Sequence, residues 1–271
     1  MTLDGPALRT EGLTRRFGSL VAVDRLDLEV PRGVIFGFLG PNGAGKSTTI
    51  NMLVGLLPPS SGSAEVAGFS VREHPLEVKR RIGVVTEGMS LYERLTAVEH
   101  IELVGRLHGL TQAELDRRVP SLLEALELSD SAGKMILDYS AGMRKKTAIA
   151  SALIHAPEVL FLDEPFESVD PISTRVVKGI LRDMVEQRGT TVFFSTHVME
   201  LAERFCDRVA IINRGRLAAQ GSLSELRQAV GLPEEAPLEE VFVRTVQAQG
   251  PEDQQEPLLQ WLTGKEPVGG G

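Results

Sequence analysis

The sequence predicts an α/β fold with a mostly parallel sheet, an antiparallel β edge region and an inserted helical lobe. Short apolar runs without alternation, such as Val34–Leu39, are typical of strands buried on both faces of a parallel sheet. The segment Leu20–Val30 instead alternates apolar and polar residues, as does a strand with one wet face. From about residue 91 to 156 the apolar residues take helical spacing, which predicts the inserted lobe.

The remaining elements follow the same patterns. Val159–Leu162 and Thr191–Phe194 are further candidates for buried core strands. Val209–Asn213 and Arg216–Gln220 are separated by two residues, which predicts a hairpin. The nucleotide-binding domain is expected to span residues 1–222. We expect residues 223–271 to be a partly disordered C-terminal extension, because prolines interrupt any long helix there.

The composition is that of a globular chain. Of 271 residues, 42% are hydrophobic and 24% are charged, which excludes a fibrous or largely disordered chain. The net charge of -8 opposes a nucleic-acid partner, because phosphate contacts require a basic surface. No run approaches the roughly 20 apolar residues that cross a bilayer, and the first ten residues lack a signal-peptide pattern. We therefore expect a chain that is neither secreted nor membrane-spanning. Its single cysteine, Cys206, is expected to be an inert thiol.

A glycine-rich loop follows the strand that ends at Leu39. It precedes a predicted helix that starts at Thr48, and it reads Gly40-Pro41-Asn42-Gly43-Ala44-Gly45-Lys46-Ser47. The glycines let backbone N–H groups converge on one point, and the helix N-terminus adds its positive dipole end. Lys46 supplies a cation and Ser47 a hydroxyl for Mg²⁺. The sequence therefore predicts a P-loop NTPase core that binds a nucleoside triphosphate.

Two adjacent carboxylates, Asp163 and Glu164, end the apolar run that begins at Val159. Acids at the carboxyl end of a buried strand are costly unless they meet a metal or a proton acceptor. We assign Asp163 to the magnesium shell. Glu164 is assigned to polarising the attacking water as general base.

The segment Tyr139–Met143 lies about 20 residues before the acidic strand. Together with the two motifs above, it resembles the signature loop of the ATP-binding-cassette ATPases. The resemblance covers roughly residues 7–220 and is most similar to the bacterial drug and antibiotic exporter branch. The family's form is Leu-Ser-Gly-Gly-Gln, of which Ser140 and Gly142 remain here. The resemblance implies that these two residues contact the γ-phosphate of a nucleotide held by the opposite subunit.

Further roles are implied by the same resemblance. His197 matches the switch histidine that contacts the γ-phosphate, and Phe17 matches the aromatic that stacks on adenine. Asp170 matches a loop that crosses the dimer interface. Two positions depart from the family pattern: Glu87 stands where glutamine is usual in the lid, and Glu167 stands where serine is usual. Glu87 is expected to be a third magnesium ligand beside Ser47 and Asp163.

The resemblance implies an ATPase that uses ATP and Mg²⁺, with Lys46, Glu164 and His197 as catalytic groups. Because each motif occurs once, it implies a nucleotide-dependent homodimer, or a heterodimer with a second ATPase subunit. It also implies a separate integral membrane permease that docks around residues 87–96, on the cytoplasmic face of the cell membrane. A non-transport member acting in DNA repair or on the ribosome is the alternative. An unrelated P-loop kinase or GTPase would leave the signature turn unexplained.

Overall fold

The computed structural model describes residues 5–86, 88, 91–167 and 169–248. Within that part of the chain, two sheets are surrounded by helices. The α/β class, the parallel sheet, the antiparallel region and the helical lobe predicted from the sequence are all present.

The antiparallel strands form a sheet of their own. It contains β1 (Leu8–Phe17), β2 (Leu20–Val30), β4 (Ser61–Val66) and β5 (Phe69–Ser70), in the order β2-β1-β4-β5. Strand β2 buries Leu26, Leu28 and Val30 and leaves the intervening acids exposed, as its alternation predicts. The antiparallel region is therefore a second layer that packs against the main sheet.

The main sheet has six strands in the order β10-β9-β3-β8-β7-β6. Five are parallel, and β10 pairs antiparallel with β9. The strands are β3 (Ile35–Leu39), β6 (Ile82–Val85), β7 (Val159–Asp163), β8 (Thr191–Thr196), β9 (Arg208–Asn213) and β10 (Arg216–Gly221). The predicted hairpin joins β9 to β10 through Arg214 and Gly215, whose φ angles of 49° and 77° suit a two-residue turn.

Both faces of this sheet are covered, which explains the uninterrupted apolar runs. Phe36, Phe161 and Phe193 pack with the antiparallel sheet on one face. Leu160 and Phe194 belong to the core that includes the helical lobe on the other face. The core helices are α1 (Lys46–Leu53), α2 (Pro75–Arg81), α6 (Pro171–Arg188) and α7 (Met199–Phe205).

The helical lobe consists of α3 (Ala97–Leu107), α4 (Gln112–Ala125) and α5 (Ala141–Leu153), with short 3₁₀ turns at Ser129–Ser131 and Ile136–Asp138. Thr96 and Thr111 begin α3 and α4 with capping boxes, in which each threonine and the glutamate three residues later satisfy each other's backbone N–H groups. Helix α5 connects the lobe to the core, since it packs against both α3 and β6.

Two further helices follow the main sheet, α8 (Leu223–Ala229) and α9 (Leu238–Gln247). Leu226, Leu238 and Val241 are buried in a cluster with Val209 and Ile211 of β9. The domain boundary at residue 222 stays a prediction, and residues 249–271 lie outside the described part. None of the helices described is long and apolar enough to cross a membrane.

Candidate functional site

The glycine loop joins β3 to α1 in a conformation that requires glycine. Gly43 and Gly45 have φ angles of 79° and 105°, in the left-handed region that other residues rarely adopt. A Cβ atom at Gly45 would lie 2.5 Å from the carbonyl oxygen of Ala22, and one at Gly40 would collide with the carbonyl of Ile212. At Gly45 and Gly40 the loop therefore lies too close to β2 and β9 for a larger side chain.

Lys46 begins α1 and is buried. Its Nζ donates to the carbonyl oxygens of Gly40 at 2.8 Å and Pro41 at 3.2 Å, and it lies 3.7 Å from Oε1 of Glu164. The ammonium group is therefore placed between the glycine loop and the end of β7, beside the N-terminus of a helix.

Asp163 and Glu164 take different positions at the end of β7. Asp163 is 3% exposed and accepts a 2.5 Å hydrogen bond from Ser195 Oγ, whereas the side chain of Glu164 is 13% exposed. The backbone N–H of Glu164 donates to the same Ser195 hydroxyl at 3.2 Å. One serine therefore links both acids, because Asp163 and Ser195 are paired in the register of β7 and β8.

Glu164 is also held from its backbone. Its φ of 46° is left-handed, which is uncommon outside glycine, and such strain concentrates at functional sites. Lys145 Nζ donates to its carbonyl oxygen at 3.1 Å. On the side-chain side, Oε1 lies 3.0 Å from Nδ1 of His197. Lys46, Glu164 and His197 thus form one continuous polar chain.

These groups line a cleft of about 690 Å³. The glycine loop and α1 contribute one wall, and the other lining residues include Phe17, Glu164, Glu167, His197 and Arg214. Phe17 is 45% exposed, and the guanidinium carbon of Arg15 lies 4.6 Å from its ring centroid. The cleft thus combines an accessible aromatic ring with a phosphate-binding loop and a carboxylate.

The structure brings most of the predicted site residues to this cleft. The residues of the loop and of the first turn of α1 that line it are Asn42, Gly43, Gly45, Lys46, Ser47 and Thr48. Gly40, Pro41 and Ala44 shape the loop from behind: the first two accept from Lys46, and Ala44 donates its N–H to the Pro41 carbonyl at 3.1 Å. Glu87 lies outside the described residues.

Ser140 and Gly142 are placed elsewhere. Ser140 is the exposed N-cap of α5, and its hydroxyl accepts from Met143 N at 3.2 Å. Gly142 is in the first turn of the same helix. Neither is among the described residues that line the cleft. A single chain therefore carries a nucleotide cleft and a separate, exposed signature turn.

Asp170 caps the helix that follows the acidic pair. Its carboxylate accepts from Ser173 N at 2.9 Å at the start of α6. Hydrogen bonds from Ser173 hold the pKa of Asp170 below its usual value.

Three residues of the site, Ser195, Lys145 and Arg214, were not predicted from the sequence. For Ser195 a signal was present, since a polar residue near the carboxyl end of a buried strand has the same position as Asp163.

Comparison with known families decides the identity of this cleft. The family model described as ABC transporter matches residues 23–167, which is more than half of the chain. The chain belongs to the ABC transporter family. Within that family, it is 42% identical over 225 residues to the daunorubicin/doxorubicin resistance ATP-binding protein DrrA of Streptomyces peucetius. That match covers 83% of this chain and 68% of the relative.

Other family members agree. The linearmycin resistance ATP-binding protein LnrL of Bacillus subtilis is 37% identical, over 83% of this chain and 72% of the relative. A solved ATP-binding subunit of an ABC transporter superposes with a TM-score of 0.83 at 32% identity, covering 89% of this chain and 99% of that one. A dimeric cassette bound to ADP and phosphate, at 24% identity and a TM-score of 0.73, supports the fold alone.

The family assigns the activity of this chain. It is an ATP-binding and ATP-hydrolysing subunit that powers substrate movement through a separate permease. Cassettes of this family work as dimers with membrane permeases. The resemblance to the drug and antibiotic exporter branch is confirmed by resistance proteins among the relatives. These relatives give no support to an action in DNA repair or on the ribosome.

Proposed function

We propose that this chain powers the export of a drug-like or antibiotic molecule from the cytoplasmic face of the cell membrane. The relatives that support this proposal are named for resistance to daunorubicin, doxorubicin and linearmycin, or for export of Nod factor. The observation that carries the mechanism is that the cleft and the signature turn are separate on one chain. A complete site then needs two chains.

Within the cleft, each side chain has a role that its contacts support. Backbone N–H groups of the glycine loop and the Lys46 ammonium bind the phosphates of ATP. Glu164 lies 3.0 Å from His197 and 3.7 Å from Lys46, so it is positioned to accept a proton from the attacking water. His197 is partly exposed and orients Glu164 and the terminal phosphate. Phe17 offers an exposed ring for the adenine.

The donor set also fits Mg²⁺. No cluster of three histidine, cysteine or acidic side chains occurs in the described part of the chain, but Mg²⁺ usually needs only one or two carboxylates together with substrate phosphates. The Ser47 hydroxyl and the Asp163 carboxylate would hold it, with Ser195 keeping Asp163 in position through the 2.5 Å hydrogen bond. When bound, the ion neutralises charge on the phosphates.

Glu87 is proposed as a further magnesium ligand. If so, Glu87→Gln should stay active but need more Mg²⁺, because the amide carries no charge. Titrating Mg²⁺ against ATPase rate, with and without the permease, checks this role. An unshifted magnesium curve contradicts the metal role. A change only in the stimulation by the permease would assign Glu87 to contact with the permease.

The dimer can be tested with a variant that binds ATP without turning it over. Glu164→Gln protein should have monomer mass in light scattering without nucleotide and dimer mass with saturating ATP, because each ATP then contacts two chains. An unchanged monomer mass with ATP contradicts a homodimer. Dimerisation only after addition of a second ATPase subunit indicates the heterodimer.

The transport function is tested with a multi-span permease sought among the reading frames beside this chain's gene. Both proteins are reconstituted in vesicles so that the ATPase subunit, ATP and the fluorescent probe daunorubicin are all on the outer side. We expect ATP-dependent movement of the probe with wild-type chain and none with Glu164→Gln. Permease-stimulated ATPase activity without movement of daunorubicin or linearmycin rejects the drug class while leaving the ATPase assignment intact.

A further inference from the structure

Helix α5 contains two adjacent lysines that are both buried. Lys145 is 5% exposed and Lys146 is 7% exposed. Because an ammonium group taken out of water needs hydrogen-bond acceptors, the contacts of each lysine indicate its role. Lys146 Nζ donates to Oε2 of Glu127 in the helical lobe at 3.0 Å, whereas Lys145 Nζ donates to the backbone carbonyl oxygen of Glu164 at 3.1 Å. The two lysines therefore connect the same helix to different parts of the chain.

The contact of Lys145 joins the signature helix to the end of β7. Ser140 is the N-cap of α5 and Gly142 is in its first turn. Lys145 follows Ser140 by five residues, which places it about 7.5 Å further along the helix axis. One helix thus has the exposed signature turn at its N-terminus and, about one and a half turns later, a contact with the acidic residue Glu164 of its own cleft.

The peptide groups on both sides of the Glu164 Cα atom are held. Its N–H donates to Ser195 Oγ at 3.2 Å, and its carbonyl oxygen accepts from Lys145 and, at 3.3 Å, from the N–H of Glu167. These two peptide groups set the direction of the Cα–Cβ bond and hence of the carboxylate, which contacts His197. The φ of 46° is a conformation that persists only where the surroundings hold it.

Lys145 makes the stronger of the two hydrogen bonds to this carbonyl. A bond from a charged donor is about twice as strong as one between neutral groups, and the bond from Glu167 is both neutral and longer. Ser195 belongs to β8 and Glu167 to the turn itself, so Lys145 brings its contact from a different element, α5. Without the ammonium group, the carbonyl would keep only the neutral bond within its own turn among these contacts.

We propose that Lys145 is a positioning residue for Glu164, so that α5 serves both clefts of the dimer. Its first turn contacts the nucleotide in the cleft of the partner chain, and Lys145 holds the base in the cleft of its own chain. The proposal rests on the proposed function, in which Glu164 is the base and two chains share each site. Lys145 is not among the described residues that line the cleft, so it affects hydrolysis rather than ATP binding.

The first test removes the ammonium group. Lys145→Met keeps a side chain of similar length, and the Glu164 carbonyl keeps its bond from Glu167 N, so no buried acceptor loses its last partner. With the permease present, ATP turnover should fall about tenfold or more, because a misplaced base is a poor proton acceptor. The affinity for a fluorescent ATP analogue should change by less than about twofold. Lys145→Arg, which keeps a charged donor, should restore most of the turnover.

The matched control is Lys146→Met. It removes a cation of similar burial from the same helix, and its partner Glu127 has a side chain that is 53% exposed and can be hydrated. Its turnover should stay near that of the wild type. Melting temperatures show whether each variant is folded. If the apolar Lys145→Met chain does not fold, Lys145→Gln takes its place with the same expected loss of turnover.

A double mutant separates positioning of the base from a general effect on the fold. If Lys145 acts through the carboxylate of Glu164, then Lys145→Met should lower the residual turnover of Glu164→Gln by less than about twofold. A residue that only supports the structure would lower turnover by the same factor in both backgrounds. Equal factors in the wild type and in Glu164→Gln therefore overturn the proposal.

A mixed dimer shows which cleft Lys145 serves. One chain carries Gly142→Asp in its signature turn and the other carries Lys46→Ala, so the intact site is the cleft of the Gly142→Asp chain. Lys145→Met added to that chain should lower turnover about tenfold, and added to the Lys46→Ala chain it should have less than about a twofold effect. Equal losses, or a larger loss from the Lys46→Ala chain, indicate action through the signature turn and overturn the proposal.

Failure of this proposal differs from failure of the proposed function. If Glu164→Gln itself turns over ATP at the wild-type rate, the role of Glu164 as base is wrong and the proposal falls with it. If Glu164→Gln loses turnover while Lys145→Met does not, only the positioning role of Lys145 is overturned. The same holds if Lys146→Met loses as much turnover as Lys145→Met, or if Lys145→Met binds ATP as weakly as its turnover is slow.

Discussion

The nucleotide cleft has a volume similar to that of a second cavity, of about 630 Å³, that lies between α2, β6 and the helical lobe, but the two differ in electrostatic organisation. In the cleft, the cation Lys46 and the carboxylate Glu164 lie 3.7 Å apart, and His197 contacts the same carboxylate. The second cavity is lined by Lys79, Arg80 and three histidines, and no acid is among the described residues that line it. The cleft of one chain thus holds a cation and a carboxylate side by side, ready for phosphate and water, whereas the cavity beside the helical lobe has cations alone.

The largest effect is expected at the base. Glu164→Gln should lower ATP turnover by about a hundredfold or more and retain ATP binding, because the amide keeps the shape but accepts no proton. Glu167→Gln is the matched control, since Glu167 is an exposed carboxylate that lines the same cleft. Turnover of both variants is measured with the permease present. Equal losses in the two variants would contradict the assignment of Glu164 as base.

The signature turn should act on the cleft of the other chain. Gly142→Asp places a carboxylate in the first turn of α5, where it suits the helix but repels a phosphate. We expect turnover to fall at least about tenfold, with ATP binding to the isolated chain unchanged. Gly133→Asp, in an open position upstream, should have little effect.

Mixing variants gives the sharper test of this arrangement. Gly142→Asp and Lys46→Ala chains, each by itself, are expected to turn over ATP at least about tenfold more slowly than the wild type. A mixed dimer contains one site with an intact Lys46 and an intact signature turn, so part of the activity should return on mixing. No recovery, under conditions where the mixed dimer forms, contradicts a site shared between two chains.

Substitutions in the glycine loop should lower ATP affinity most where the new side chain would meet a neighbouring backbone. A methyl group at Gly45 meets the Ala22 carbonyl at 2.5 Å, while one at Gly43 meets nothing within 4 Å, although both residues have positive φ. Gly45→Ala should therefore lower ATP affinity by about tenfold. Gly43→Ala should lower ATP affinity less, because its only cost is backbone strain of about 1 kcal/mol. Titration with a fluorescent nucleotide measures the affinities of the two variants. Equal affinities indicate that the loop moves away from β2.

The smallest effect is expected on the free energy of unfolding, through His155, which lines the second cavity and stacks on His108 with ring centroids 3.6 Å apart. The pKa of His155 is lowered to about 4, from about 6.5 when unfolded. Below pH 6.5 the unfolded chain gains a proton that the folded chain does not. Stability should therefore fall between pH 6.5 and 4, by on the order of 2 kcal/mol from this group. Urea unfolding of His155→Phe should show a shallower slope in this window, and His74→Phe should match the wild type.

The sequence contained local signals for most elements that the structure has. The apolar run Val34–Leu39, the alternation in Leu20–Val30 and the hairpin at Arg214 and Gly215 are set by residues close together in the chain. Helix α6 was not predicted, although Asp170 followed by Pro171 is a typical helix start. Charged residues interrupt the apolar residues of this helix, so the periodic spacing typical of a helix is less evident in its sequence.

The residues of the nucleotide site could be predicted from the sequence, because the glycine loop and the acidic pair are contiguous motifs whose chemistry depends on local spacing. The sequence by itself therefore determined which groups could bind phosphate and accept a proton. Only the tertiary structure decided that Ser195 links Asp163 to Glu164, that Ser140 lies outside the cleft of its own chain, and that His108 stacks on His155. Those relations join residues up to 47 positions apart, and they depend on strand register and helix packing that no local pattern specifies.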